Sequence, residues 1–163
     1  RGRARMPMID PVSARQLAQA GSGATVTLEL GGRSAPFFNP LTVTGVVRAA
    51  SSGVVELADH AETEINMGHT LAFDVGPVTL LVTEYAGVAG IHPAVYRHVG
   101  IEPADFQIIV MKTASNFQYM TPLTSTMIRV ATPGPTQSDI AALAWQRIPR
   151  PCFPMESLTT WRG

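Results

Sequence analysis

Alternating apolar and polar positions run through the first half of the chain and predict an antiparallel β meander. Residues 51–53 read as a hairpin turn, Gly76-Pro77 as a tight turn, and the polar residues 58–69 as a loop. The strands predicted by this pattern cover residues 24–30, 41–50, 54–57, 70–75 and 78–85.

Start and stop signals predict one helix before the meander and a shorter helix after it. Asp10 suits the N-cap of a helix over 10–20, and Pro11 suits its first position, where no N–H is needed. The glycines at 21–23 would end that helix. Residues 93–99 predict the second helix, which Gly100 would close.

The second half of the chain changes character and predicts a strand–helix–strand unit. A buried strand is expected over 107–111, a helix over 115–120 and a further strand over 127–131. Such a crossover is right-handed and joins parallel strands. Together the two halves predict an α+β fold, either one mixed sheet with helices packed on it or two layers.

Lys112, Ser115 and Asn116 are the candidate binding residues, because they follow the predicted buried strand directly. The carboxyl end of a strand and the first turn of the next helix form a natural ligand crevice. Free N–H groups and the helix dipole favour an anion there, and Lys112, the single lysine, adds a positive charge. A carboxylate or a carbonyl oxygen would fit. The alternative is a capped helix whose lysine pairs locally or points to solvent.

Composition narrows the classes of partner. The 12 basic and 12 acidic residues balance, so neither nucleic acid nor an anionic membrane is expected as a partner. No run of about 18 apolar residues occurs, as a membrane span requires. The single Cys152 excludes a disulfide framework and favours a reducing, cytoplasmic location. The histidines and acidic residues match no recognised metal motif, so the chain itself is expected to bind no metal.

Several short motifs occur in order from Ile9 to Met155, and their order and spacing resemble a known family. The resemblance is to the C-terminal domain of MlrC-like (microcystinase C-type) zinc metallopeptidases. The motifs are Ile9-Asp10-Pro11, Gly21-Ser22-Gly23-Ala24-Thr25-Val26-Thr27-Leu28 with Gly31-Gly32, Gly100-Ile101-Glu102-Pro103, Ile109-Val110-Met111-Lys112-Thr113, Ser115-Asn116-Phe117, Thr132-Pro133-Gly134, and Arg150-Pro151 with Phe153-Pro154.

The resemblance implies a part of a bacterial zinc hydrolase that cleaves peptide or amide bonds. The zinc ligands of the family lie in a larger N-terminal domain, so residues 9–155 would be a C-terminal domain that is not catalytic alone and completes the substrate cleft. Residues 1–8 would be a linker or a remnant of the upstream domain, and 156–163 a tail. The expected partners are the upstream catalytic domain and a peptide or amide substrate, and a homodimer is compatible with the sequence.

The sequence departs from the family at one position of the candidate site. The family commonly has Ser-x-His-Phe-Arg there, whereas this chain has Asn116 in place of the histidine and Gln118 in place of the arginine. Asparagine forms hydrogen bonds but exchanges no proton near neutral pH, so acid–base catalysis from this position is not expected. Two alternatives stay open: a stand-alone module that binds a small anion or a protein, and a domain that only supports a dimer interface.

Overall fold

The computed structural model describes residues 3–33, 38–58, 63–113, 116–131 and 139–156. The chain divides into two units, Arg1–Ser125 and Thr126–Gly163. Among the described residues, every α-helix and β-strand lies in the first unit. The second unit contains a 3₁₀ turn, Ile140–Ala142, which the Asp139 carboxylate caps. Within the described ranges, no helix is both long enough and apolar enough to cross a membrane.

The first unit consists of a β-sheet, a small β-hairpin and two helices. The helices are α1 (Pro11–Ala20) and α2 (Pro93–His98). The strands are β1 (Ala4–Ile9), β2 (Thr25–Leu30), β3 (Leu41–Ser51), β4 (Val54–Glu56), β5 (Glu64–Asn66), β6 (Thr70–Val75), β7 (Val78–Thr83) and β8 (Ile108–Ile109).

Six strands form one mixed sheet in the order β2-β3-β6-β7-β1-β8, and β4 and β5 form a separate hairpin. The neighbours from β2 to β7 are antiparallel, whereas β1 runs parallel to both β7 and β8. The predicted α+β class with one mixed sheet is therefore confirmed. The meander is interrupted once, because the β4–β5 hairpin is inserted between β3 and β6.

That insertion corrects two expectations about the first half of the chain. Residues 51–53 do not form a hairpin turn, because β3 pairs with β2 and β6 while β4 pairs with β5. Residues 58–69 are not entirely loop either, since they contain β5. Alternation predicts that a strand exists, but the pairing partner depends on contacts that are distant in sequence.

The strand–helix–strand unit predicted for residues 107–131 does not form; a different one is built by β7, α2 and β8, with β1 between its two strands. The predicted strand over 107–111 is reduced to the two residues of β8, at the edge of the sheet. The described residues 116–120 contain no helix, and residues 127–131 contain no strand. Those two predicted elements are wrong, and the apolar side chains of Met127, Ile128 and Val130 are exposed instead of buried in a sheet.

Strand β1 begins within residues 1–8, the stretch expected to be a linker or a remnant of the upstream domain. Each of its six residues, from Ala4 to Ile9, is in register with a residue of β7, and Ala4 and Arg5 are also in register with β8. Met6 and Met8 pack against the core on one face of the sheet. Residues 4–8 are therefore part of the folded sheet and not a linker.

Helix α1 forms where its local signals place it. The Asp10 carboxylate accepts a hydrogen bond from the Ser13 amide, Pro11 occupies the first turn, and the Gly21 amide donates to Leu17. Helix α2 likewise begins after a side-chain cap, His92, and Gly100 follows it with a φ of +71°. Left-handed backbone of this kind costs glycine little, so glycine ends helices readily.

Two apolar cores cover the two faces of the sheet. On one face α1 packs on β6 and β7 through Ala14, Leu17, Leu71, Phe73, Leu80 and Val82. On the other face α2 and the β4–β5 hairpin pack on the sheet through Val55, Ile65, Ala72, Leu81, Val95 and Tyr96. Full burial of each large apolar side chain contributes about 2 kcal/mol. These two cores fix the central strands β6 and β7. The segments that follow the parallel strands β1, β7 and β8 therefore leave the sheet at the same edge.

Candidate functional site

The three parallel strands β1, β7 and β8 end at the same edge of the sheet, which we call the carboxyl edge. Asp10 follows β1, Glu84 follows β7, and Lys112 follows β8 after a short gap. In open sheets the crevice outside the carboxyl ends of parallel strands is where ligands usually bind. This edge therefore is the candidate functional site.

Asp10 is a buried, ionised anchor of the carboxyl edge. Its Oδ2 atom accepts hydrogen bonds from Ser13 Oγ at 2.9 Å, from the Gly31 amide at 2.8 Å and from Arg33 Nη1 at 2.7 Å. Burial alone would raise the pKa of this carboxyl group, but the bonds from Gly31 and Ser13 and the charge of Arg33 lower it below its ordinary value. Asp10 thus stays charged and is fully occupied within the fold.

Glu84 is a second occupied carboxylate at the carboxyl edge. Its side chain accepts a hydrogen bond from the His69 amide at 3.2 Å and forms an ion pair with Arg15 of α1 at 2.8 Å. The bond from His69, followed by that from Arg15, lowers the pKa of Glu84. Because both carboxylates are held ionised by partners, neither is available as a general acid at neutral pH.

Lys112 is exposed on the segment that follows β8. Its backbone runs beside Gly90: a Cβ atom on Gly90 would lie 3.7 Å from the Lys112 nitrogen and 3.4 Å from Pro7 Cγ. The segments after β7 and β8 therefore approach each other closely, while the Lys112 side chain remains outside the core. The expectation that this lysine sits at the rim of a crevice is compatible with its exposure.

After Lys112, the described residues 116–120 form no helix. Thr113 Oγ1 accepts a hydrogen bond from the Asn116 amide at 2.9 Å, and Asn116 is exposed. Ser115 lies outside the described residues. Since no helix forms over 116–120, the helix-dipole part of the anion argument is wrong, and the positive charge of Lys112 is what remains of it.

A contact between His92 and Tyr119 was missed by reasoning from the sequence. The ring of Tyr119 lies 4.9 Å from the ring of His92, at an angle of 45°. His92 is buried and its Nδ1 atom accepts a hydrogen bond from the Ala94 amide at 3.2 Å. His92 directly precedes the predicted helix over 93–99, but nothing in the sequence signals the contact with Tyr119. This contact packs the segment after β8 against the start of α2.

The described residues contain no group of three or more histidine, cysteine, aspartate or glutamate side chains that are placed to hold a metal ion. Asp59, His60 and Glu62, which belong to the acidic and histidine-rich stretch of the sequence, lie outside those residues. At the carboxyl edge, a lysine ammonium and an asparagine amide are groups that can contact a carboxylate or a carbonyl oxygen.

The chain matches one protein family in sequence and is similar to a solved structure. The model of the family described as MlrC C-terminus matches residues 1–147. Among solved structures, the chain is similar to a candidate metallopeptidase from Mesorhizobium sp. BNC1, with 26% identity and a TM-score of 0.75 over 98% of the chain. The chain spans 32% of the length of that protein. No protein of curated function matches it in sequence.

Proposed function

The chain belongs to the MlrC C-terminal family, and on that premise we propose that it completes the substrate cleft of a metal-dependent peptide or amide hydrolase. The observation that carries the proposal is the exposed Lys112 beside the carboxyl edge of three parallel strands. The similar protein from Mesorhizobium is about three times as long as this chain, which leaves room for a separate catalytic domain in a relative of that length.

The chain contributes binding and not catalysis in this proposal. Lys112 contacts a carboxylate or a carbonyl oxygen of the substrate, and Ser115 and Asn116 supply further hydrogen bonds to it. The described residues offer no metal site, and Asp10 and Glu84 are held in ion pairs. The upstream catalytic domain is therefore proposed to hold the metal, which the family resemblance indicates is zinc.

The proposed setting is the cytoplasm of a bacterium. A single cysteine in 163 residues supports a reducing compartment, because secreted domains commonly rely on disulfides. The proposed partners are the upstream domain of the same protein and a peptide or amide substrate.

The test compares two forms of one peptide substrate in the parent protein, one with a free C-terminal carboxylate and one with an amidated C-terminus. Lys112→Ala is expected to raise KM for the free acid about tenfold, which corresponds to about 1.4 kcal/mol of lost binding. KM for the amidated peptide is expected to change little, because that peptide lacks the charge that Lys112 would bind.

Arg48→Ala is the matched control, because Arg48 is a half-exposed cation on β3, which is not one of the three parallel strands. This variant should leave both KM values unchanged. If Lys112→Ala and Arg48→Ala behave alike on both peptides, Lys112 does not contact the substrate carboxylate. If the unmodified protein cleaves neither peptide, the proposed peptide hydrolysis is wrong, whatever the role of Lys112.

A further inference from the structure

Arg5 is a fully buried cation that has no carboxylate partner in the described part of the chain. It lies on β1, and its side chain points to the face of the sheet that α2 covers. The guanidinium stacks on the Tyr96 ring, with Cζ 3.6 Å from the ring centroid. Its Nη2 atom lies 3.2 Å from Met120 Sδ, and a thioether sulfur accepts hydrogen bonds only weakly.

Three donor groups around this stack lack a hydrogen-bond partner in the structure. They are Nε and Nη1 of Arg5 and the hydroxyl of Tyr96, and all three are buried. Buried polar groups in proteins are nearly always satisfied by protein or by an ordered molecule. An unpaired group with a full charge is more costly to bury than a neutral one. Three such groups in one stack therefore call for a ligand.

Among the described carboxylates, the charge of Glu102 acts on Arg5, but the Glu102 oxygens are already occupied. Glu102 binds Arg97 through two bonds, at 2.7 Å and 3.0 Å, and also accepts from the Ala104 amide at 3.3 Å. Its negative charge reaches Arg5 only as a long-range effect that raises the pKa of Arg5 slightly against the larger lowering by burial. Glu102 thus does not satisfy the Arg5 donors.

Both groups keep their protons at neutral pH. Burial lowers the pKa of Arg5 to about 10, so the guanidinium remains charged. Burial likewise raises the pKa of Tyr96 to about 12, so the hydroxyl stays neutral and can donate. The stack therefore presents one positive charge and several donors inside an apolar core that includes Val95, Val99 and Ile101.

We propose that Arg5 and Tyr96 bind a small monovalent anion, of the size of chloride, inside the core between β1 and α2. An anion of this kind accepts from Nε or Nη1 of Arg5 and from the Tyr96 hydroxyl and also neutralises the charge, whereas a water molecule accepts hydrogen bonds but leaves the charge unpaired. The site must be small, because each of the donor atoms is almost completely shielded from solvent. The proposal does not involve Lys112 and is independent of the proposed hydrolase function.

The direct test is crystallographic and uses the complete protein that contains this chain, crystallised in sodium bromide. An anomalous bromide peak within hydrogen-bond distance of Arg5 Nη1 or Nε and of the Tyr96 hydroxyl is expected. A peak only at surface arginines, or density at the stack without an anomalous signal, would overturn the proposal. This test uses the unmodified protein, so its result does not depend on whether a substituted protein folds.

The solution test measures thermal unfolding at constant ionic strength, as bulky methanesulfonate is replaced by chloride. At a chloride concentration about ten times the dissociation constant, Tm is expected to rise by about 3 °C, through binding to the folded state alone. Arg5→Met should abolish the rise and Tyr96→Phe should reduce it. The control is Arg3→Met, which removes an exposed arginine that stacks on Phe106 with its Cζ 4.8 Å from the ring centroid. A rise that persists in Arg5→Met contradicts the proposal.

Discussion

Asp10 Oδ2 lies 2.7 Å from Arg33 Nη1, and this ion pair joins the end of β1 to the segment that follows β2. The same carboxylate caps α1 through Ser13, and Arg33 also donates to the Glu29 carbonyl at 2.9 Å. One buried side chain thus fixes the start of a helix and the connection of two strands that lie far apart in the sheet.

The first prediction concerns the loss of this carboxylate. Asp10→Ala is expected to lower the free energy of unfolding by about 3 kcal/mol, because it removes a helix cap and leaves the amide donors of buried Ser13 and partly buried Gly31 without their acceptor. Urea denaturation measures the change. Asp139→Ala is the matched control, since Asp139 caps only an exposed 3₁₀ turn and should cost about 0.5 kcal/mol or less. Equal losses in the two variants would mean that the Asp10 network adds nothing beyond capping.

The second prediction concerns acid. The pKa of Asp10 in the folded state is lowered from its ordinary value of 3.8, so below that value the unfolded state binds more protons than the folded state. Its contribution to stability is therefore complete above about pH 4 and is lost as the pH falls through the folded pKa.

Asp10→Asn should be less stable than the unmodified chain at pH 7, and this difference should narrow as the pH falls below about 4. Denaturation midpoints measured from pH 7 to pH 2 provide the comparison. A difference that stays constant over this range would show that ionisation of Asp10 contributes nothing to its role.

The third prediction compares two glycines with the same backbone conformation. Gly68 and Gly76 have φ values of +62° and +56°. A Cβ atom on Gly68 would lie 2.8 Å from Glu84 Cβ and 2.9 Å from Tyr85 Cε2, whereas one on Gly76 would meet no described atom within 4 Å. Gly76→Ala should cost about 1 kcal/mol for the left-handed backbone alone.

Gly68→Ala should cost at least about 3 kcal/mol, because it adds a clash with the segment after β7 to the same backbone cost. The measurement is chemical denaturation of both variants under identical conditions. If the two substitutions cost the same, Gly68 is required for its backbone conformation only, and its approach to Glu84 does not constrain the residue.

The parts of the fold that could be predicted from the sequence are those fixed by neighbours in the chain. Asp10-Pro11 and Gly21 lie one helix length apart, and their capping contacts are local, so α1 forms where the sequence places it. Polar and apolar residues alternate along β2, and β6 is mostly apolar. Each pattern is visible within six positions of the sequence.

The parts that could not be predicted depend on distant residues. Pro7 argues against a central strand, because proline lacks the N–H that a ladder needs. Pro7 nevertheless lies in β1 opposite Leu81 of β7, because β8 pairs only with Ala4 and Arg5 and leaves that side of β1 without a ladder at Pro7. Arg5 lies in an arginine-rich stretch that is typical of a solvated linker. Tyr96, whose ring stacks on its guanidinium, lies 91 residues later. Ile108 belongs to an apolar run that suggests burial, but β8 is an edge strand and Ile108 is 58% exposed.

The candidate site shows the same division. The sequence indicates that polar residues follow the last strand, and the structure describes Lys112 and Asn116 as exposed there. The helix expected after them is absent from 116–120, and the segment packs instead through the contact of Tyr119 with His92. That contact joins residues 27 positions apart, which no local pattern encodes. The binding role of Lys112, Ser115 and Asn116 stays a prediction.

The last prediction tests whether Asn116 faces the substrate in the parent protein. Asn116 is exposed, and its backbone amide donates to Thr113 Oγ1, a bond that replacement of the side chain does not remove. Asn116→His introduces a group that titrates near pH 6.5 when it is solvated. If the position lies in the cleft, kcat/KM should acquire a new pH dependence between about pH 5.5 and 7.5 that the unmodified protein lacks, because the charge of the imidazole changes beside the substrate.

Gln118→His is the control, since Gln118 is exposed two residues further along the same segment. A new pH dependence in Asn116→His alone supports a contact with substrate. Identical profiles for both variants and the unmodified protein would remove Asn116 from the site, because a charge change next to a bound substrate cannot leave the profile unaltered.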